Sequence, residues 1–225
     1  MSGEVPVSHV AWTPAHRIVS SRFPPVGLWD RIADPADFDA LAALEGLTNP
    51  RLRESLGQLS LIPPQRRITG PGTTPVMAAF THLDPAGSRF SDGRYGVFYA
   101  ARAIETAIEE TRHHRERFLA STQEAPIELT LRCYAMDIRS DLHDLRGGFR
   151  EAHDPDDYGA SRALGRALRE AGSNGVVYDS VRHAGGECVG VFWPDQVGPC
   201  RQTHHLGYWW DGRRISHVVR KTLVG

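Results

Sequence analysis

The sequence predicts an α+β fold, on three observations. Period-two and helical patterns follow one another without a regular strand–helix–strand rhythm. A chain of 225 residues is long enough to bury a core without disulfides or a metal. A strong hairpin signal, Asp211-Gly212 between Tyr208-Trp209-Trp210 and Ile215, closes the sequence with antiparallel strands.

Residues 1–75 predict short helices joined by proline-rich turns, an N-terminal helical extension packed on the core. Asp34-Pro35 supplies an N-cap followed by proline at the first helical position. Phe38, Leu41, Ala42 and Leu44 give that helix an apolar face, and Gly46 ends it. Asn49-Pro50 opens a second helix in the same way. The stretch Ile62–Thr74, rich in proline and glycine, marks a boundary to a main domain over 76–225.

Within that domain Gly96–Ala101 predicts a short strand and Ala103–Ala120 a helix. Ile104, Ala107, Ile108, Thr111 and Phe118 are assigned to the inward stripe of this helix. Ile127–Ile138 alternates as a strand, with Ile127, Leu129, Leu131, Cys133 and Ala135 on one face. A helix over Asp157–Ala171 turns Tyr158, Leu164, Ala167, Leu168 and Ala171 inward and stops at Gly172. Gly175–Ser180 and Cys188–Trp193 are apolar strands flanking the turn His183-Ala184-Gly185-Gly186.

Charge and composition exclude several classes. With 26 basic and 27 acidic residues the net charge is −1, so no global basic field exists to hold nucleic acid. The first thirteen residues lack the charged and apolar regions of a signal peptide. No apolar run approaches the roughly 18 residues of a membrane span. Cys133, Cys188 and Cys200 are odd in number and widely spaced, which predicts free thiols in a reducing compartment, the cytoplasm. No glycine-rich phosphate loop and no GxSxG elbow is present. His113-His114 and His204-His205 are adjacent pairs, which on a helix point about 100° apart and seldom chelate one metal, so no metal is expected.

The informative residues lie in two blocks. The first runs Ser88-Arg89-Phe90-Ser91-Asp92-Gly93-Arg94-Tyr95-Gly96-Val97-Phe98-Tyr99-Ala100-Ala101 and continues through Glu105 to Thr111. The second is Gly175-Val176-Val177-Tyr178-Asp179-Ser180-Val181-Arg182 with Gly185-Gly186. Together they resemble the RES-domain family. Its members carry an arginine about ten residues before a strand tyrosine, and a helical glutamate eleven residues past it. A later strand ends in serine, followed by arginine and a Gly-Gly turn. Arg89, Tyr99, Glu110 and Ser180 match those positions, and the resemblance covers roughly residues 76 to 200. One departure falls where many members have tryptophan and asparagine and this chain has Phe90-Ser91.

The resemblance implies an ADP-ribosyltransferase-like fold, with a split mixed sheet and surrounding helices, that binds NAD and breaks its nicotinamide–ribose bond without a metal. It implies a toxin of a type II toxin–antitoxin system, partnered by an Xre-type helix-turn-helix antitoxin that binds the DNA and assembles with it. The acceptor stays open between water, phosphate and a protein side chain; the last would make the chain a protein mono-ADP-ribosyltransferase. A catalytically inactive partner-binding module is the rival from another class.

The chemistry suits these residues. Arginine is the natural bidentate clamp for a pyrophosphate, the role expected of Arg89. The face of Tyr99 can hold the flat cationic nicotinamide ring, so Tyr99→Phe is expected to be mild. Glu110 can stabilise the positive charge that grows on the ribose, and Ser180 can orient ribose or the nicotinamide amide. Arg182 is either a further phosphate contact or a solvated charge. His114, one turn past Glu110, is read as a surface residue, and Gly185-Gly186 as a structural turn.

Overall fold

The computed structural model describes residues 4–21, 30 and 58–222. Among the described residues seven strands form one mixed sheet. They are β1 (Val7–Ser20), β2 (Phe98–Ala101), β3 (Ile127–Asp144), β4 (Gly175–Asp179), β5 (Glu187–Val191), β6 (Arg201–Trp210) and β7 (Ile215–Lys221). Three α-helices accompany them among the described residues: α1 (Thr74–Thr81), α2 (Ile104–Thr122) and α3 (Gly159–Glu170). The α+β expectation holds.

The strand order is β1-β2-β5-β4-β3-β6-β7, and β1 also pairs with β3. The pairings β1–β2–β5–β4–β3–β1 therefore close on themselves, and β6 and β7 extend from β3 as an antiparallel wing. Among these strands only the β3–β4 pairing is parallel, joined by the crossover that contains α3. β3 holds the sheet together: its first half lies between β1 and β6, and its end lies between β1 and β4.

β3 is buried on both faces only in its middle, over Leu131–Met136, and alternates buried and exposed residues from Ile138 to Leu142. Tyr134, Met136, Ile138 and Leu142 face a core built with Val10, Trp12 and Ala15 of β1 and with Val76, Met77 and Phe80 of α1. Leu131 and Cys133 face a second core with Ala107 and Leu119 of α2, Phe90, Tyr178, Phe192 and Tyr208. The functional residues gather beside this second core.

The structure corrects three expectations. Residues 7–20 are a sheet strand, not part of a helical extension; they pair with β3 from Val7↔His143 to Ser20↔Leu131. The helices expected after Asp34-Pro35 and Asn49-Pro50 lie outside the described residues. Toward the C-terminal end of α2 the inward residue is Leu119, at 2% exposure, whereas Phe118 is 55% exposed. At 100° per residue Leu119 lies about 20° from Ile108 and Phe118 about 80° away. On α3 Ala167 and Ala171 are exposed, and the buried positions are Ser161 and Gly165.

Candidate functional site

Arg89 lies in the long connection between α1 and β2, and it is only 7% exposed. A buried guanidinium needs partners. Its Nη1 donates to the backbone carbonyls of Ala152, at 3.1 Å, and Asp154, at 2.8 Å. Its carbon sits 4.5 Å from the centre of the Tyr158 ring. Among the described residues Nε and Nη2 make no hydrogen bond, so one edge of the fork is unengaged.

The loop that carries Arg89 is held from three sides. The Tyr99 hydroxyl pairs with Ser88 Oγ at 2.8 Å and accepts the Phe90 N–H at 2.9 Å, gripping the residues on either side of Arg89. The Tyr95 hydroxyl donates to the Phe90 carbonyl at 2.6 Å. Arg162 of α3 donates from Nε to the Ser88 carbonyl and from Nη2 to that of Ala86. The departure Phe90-Ser91 is fully used here. Phe90 is completely buried and meets the Tyr178 ring edge-on at 5.0 Å, and Ser91 Oγ donates to the Tyr95 carbonyl. Burial pushes the Tyr99 phenol up to about 12, so it stays protonated and able to donate.

Glu110 projects from the second turn of α2, and Ser180 follows the last residue of β4. Ser180 Oγ donates to Glu110 Oε1 at 2.6 Å. It also accepts the N–H groups of Arg182, at 3.2 Å, and His183, at 3.0 Å. A hydroxyl has one donor and two lone pairs, so these three bonds saturate it. Ser180 therefore acts on Glu110 and on its own turn. Glu110 Oε2 makes no hydrogen bond among the described residues.

That turn is seated on α2. His183 Nδ1 lies 2.8 Å from Thr106 Oγ1, and a Cβ on Gly186 would stand 2.6 Å from the same oxygen. Only glycine allows so close a contact. Arg182 leaves the turn and donates from Nη2 to the Pro155 carbonyl. Arg182 thus has a backbone partner in the segment that also holds Arg89. His114 is exposed, in agreement with its reading as a surface residue.

Tyr178 links the two arrangements: Phe90, next to Arg89, packs on its ring, it pairs with Cys188 of β5, and its strand leads into Ser180 and so to Glu110. Burial pushes the Tyr178 phenol and the Cys188 thiol up, Glu110 adds to the rise, and Arg89 opposes it. The structure thus gathers two arrangements around a neutral phenol and thiol: the arginine loop pinned by Tyr99, and the carboxylate held by Ser180. Among the described residues no hydrogen bond joins Arg89 directly to Glu110, and no three His, Cys, Asp or Glu side chains form a metal-holding group. No helix among them is long and apolar enough to cross a membrane.

Sequence reasoning passed over Tyr158, Arg162, His153 and Tyr178. Tyr178 lay within the quoted block but reads as an ordinary core residue of an apolar strand. Tyr158 fits an inward helical position equally well, and nothing local marks it as a platform for arginine.

The RES domain model matches residues 64–211. An uncharacterized protein of Sinorhizobium fredii (strain NBRC 101917 / NGR234), y4oC, is 32% identical over 203 residues, covering 89% of this chain and 84% of that protein. Among solved structures, the M. tuberculosis MbcT-MbcA toxin-antitoxin complex is similar over 89% of this chain and 86% of that one, with a TM-score of 0.49 and 12% identity. The family match spans both blocks and the turns between them, and on it and the y4oC likeness the chain belongs to the RES-domain family.

Proposed function

We propose that this protein is the NAD-degrading toxin of a type II toxin–antitoxin pair, acting in the cytoplasm as a hydrolase or phosphorylase of the nicotinamide–ribose bond. The observation that carries the reading is the Glu110 carboxylate. Ser180 fixes one of its oxygens and the other makes no hydrogen bond among the described residues, where Arg89 likewise leaves Nε and Nη2 unbonded. The Nε and Nη2 edge of Arg89 takes a pyrophosphate oxygen pair, and the Tyr99 face lies against the nicotinamide ring. Arg182 adds a cation for the phosphates. As the C1′–N bond breaks, its electron pair goes to the pyridinium nitrogen and nicotinamide leaves neutral. Positive charge spreads over C1′ and the ring oxygen, where Glu110 stabilises it. The acceptor oxygen then bonds to C1′ and loses its proton.

Restraint of such an enzyme in its own cell calls for a partner that covers the cleft. We assign this role to an Xre-type helix-turn-helix antitoxin, with DNA binding on the partner because the toxin carries almost no net charge. Purified protein incubated with NAD is the test, read as free nicotinamide by chromatography. Parallel arms with phosphate and with cell lysate identify the acceptor, and an arm with co-expressed antitoxin reads occlusion. Nicotinamide release should fall roughly 10²–10³-fold in Glu110→Gln and in the antitoxin complex. No release above buffer from folded, antitoxin-free protein would sink the enzymatic reading.

A further inference from the structure

His153 occupies a junction that the two blocks do not contain. It ends the short 3₁₀ turn Arg150–His153, and its chain neighbours Ala152 and Asp154 supply the two carbonyls that hold Arg89 Nη1. Its Nε2 accepts the backbone N–H of Asp179 at 3.2 Å. Asp179 is followed by Ser180, whose hydroxyl holds Glu110. One imidazole thus ties the backbone under the arginine to the backbone beside the serine.

The other nitrogen sets the ring's protonation. His153 Nδ1 lies 3.1 Å from the Phe149 carbonyl, an acceptor only, so Nδ1 carries the proton and Nε2 is bare. Phe149 aims that carbonyl from the left-handed region, with φ 52° and ψ 49°. That conformation costs a bulky residue about 1–2 kcal/mol. The turn is braced further where the Gly147 N–H donates to Asp179 Oδ2 at 2.8 Å and the Ala152 N–H donates to the Phe149 carbonyl. Strain kept at such a junction points to a role for the geometry it maintains.

We propose that His153 is a positioning residue for the candidate site, a hydrogen-bond link that sets Arg89 and the Ser180–Glu110 pair relative to one another. The proposal rests on the NAD-cleaving reading of that site. The charged and titratable groups around the ring come from each neighbouring element. Tyr178 of β4 has its ring centre 6.3 Å away, and Asp179 turns its carboxylate to Gly147. Arg89 reaches the flanking carbonyls, and Arg182 reaches Pro155. Arg150, Glu151 and Asp154 belong to the same turn.

Nicotinamide release is measured on the full chain at neutral pH for wild type, His153→Gln and His153→Leu. Glutamine can still accept the Asp179 N–H; leucine cannot. His153→Leu should lower kcat/KM roughly five- to tenfold, and His153→Gln should stay within about twofold of wild type. Equal rates for His153→Leu and wild type, or a loss in His153→Gln as large as that in His153→Leu, would overturn the proposal. Nitrogen-15 NMR of the imidazole tests the link without activity or substitution: an Nδ1–H tautomer is expected, and an Nε2–H tautomer refutes it. A wild type that releases no nicotinamide refutes the NAD reading instead, and the tautomer still decides the link.

Discussion

Tyr99 places its single hydroxyl between Ser88 Oγ and the Phe90 N–H, so the residue that matches the family tyrosine is also the fastening of the arginine loop. Its aromatic face alone makes Tyr99→Phe look mild. The hydroxyl argues otherwise. Removing it leaves a backbone donor and a serine hydroxyl without their partner in a part-buried place, at a cost of about 1–3 kcal/mol for each such group. The ring and its packing survive, so the chain should fold while the Arg89 loop loosens. Nicotinamide release by Tyr99→Phe is expected to fall at least tenfold, with KM for NAD rising, as steady-state kinetics would show. Wild-type kinetics in this variant would mean that the hydroxyl does not set the loop. The interval from Arg89 to Tyr99 was legible in the sequence, and so was that from Tyr99 to Glu110. The bonds were not: Ser180 reaches Glu110 across 70 residues, and such pairings are set by the return of the chain.

At the scale of elements, the sequence was most legible where polarity carries the period. The strands β2, β4 and β5 lie on the short apolar runs of the sequence, and the helix α2 and the β6–β7 hairpin lie where the helical period and the turn residues place them. It was least legible at β1. There the buried residues Val10 and Trp12 are two apart, but a register shift between Trp12 and Ala15 leaves Ala15 and Ile18 at intervals of three, which imitates a helical stripe. On α3 the inward stripe is made of Ser161 and Gly165, which give no apolar signal. Gly165 is there because α3 lies against the backbone of Phe90: a Cβ at this position would stand 2.4 Å from the Phe90 carbonyl oxygen. Gly165→Ala gains about 1 kcal/mol of helix propensity. Against that, overpacking commonly costs about 1–3 kcal/mol, and here the obstacle is a backbone atom that cannot rotate away. The variant should melt a few degrees lower and release less nicotinamide, since Phe90 adjoins Arg89. Gly148→Ala, with nothing within 4 Å of its Cβ, is the control and should melt as wild type does. Equal melting of all three by calorimetry would show that α3 can retreat from the loop without loss.

The whole molecule is tied at the point where its strands converge. Asp144 ends β3, and Arg146 binds it with two bonds, from Nε to Oδ1 at 2.9 Å and from Nη2 to Oδ2 at 2.6 Å. Arg146 also donates to Glu187 of β5 at 3.0 Å, and Glu187 accepts from Arg102, which follows β2. The network thus links the end of β3 to β5 and to the residue that follows β2. Its Asp144 side chain is only 15% exposed, so solvent screens it less than a surface pair. The Arg146 hydrogen bonds, foremost among the causes, pull the Asp144 carboxyl down to about 2 from its ordinary 3.8. The sign follows from the folded value lying below the unfolded one. The stabilisation is fully present above about pH 4 and is lost as pH falls toward about 2, when the folded carboxylate takes up its proton. Nearly two pH units correspond to about 2 kcal/mol. Asp144→Asn keeps the shape and removes the charge. Urea unfolding at neutral pH should find it about 2 kcal/mol less stable than wild type, and the gap should narrow steadily through the acid window as wild type loses the same contribution. A gap of constant size from neutral pH down to about pH 2 would place the cost of the substitution in packing, and the ionised pair would not be what holds these strands.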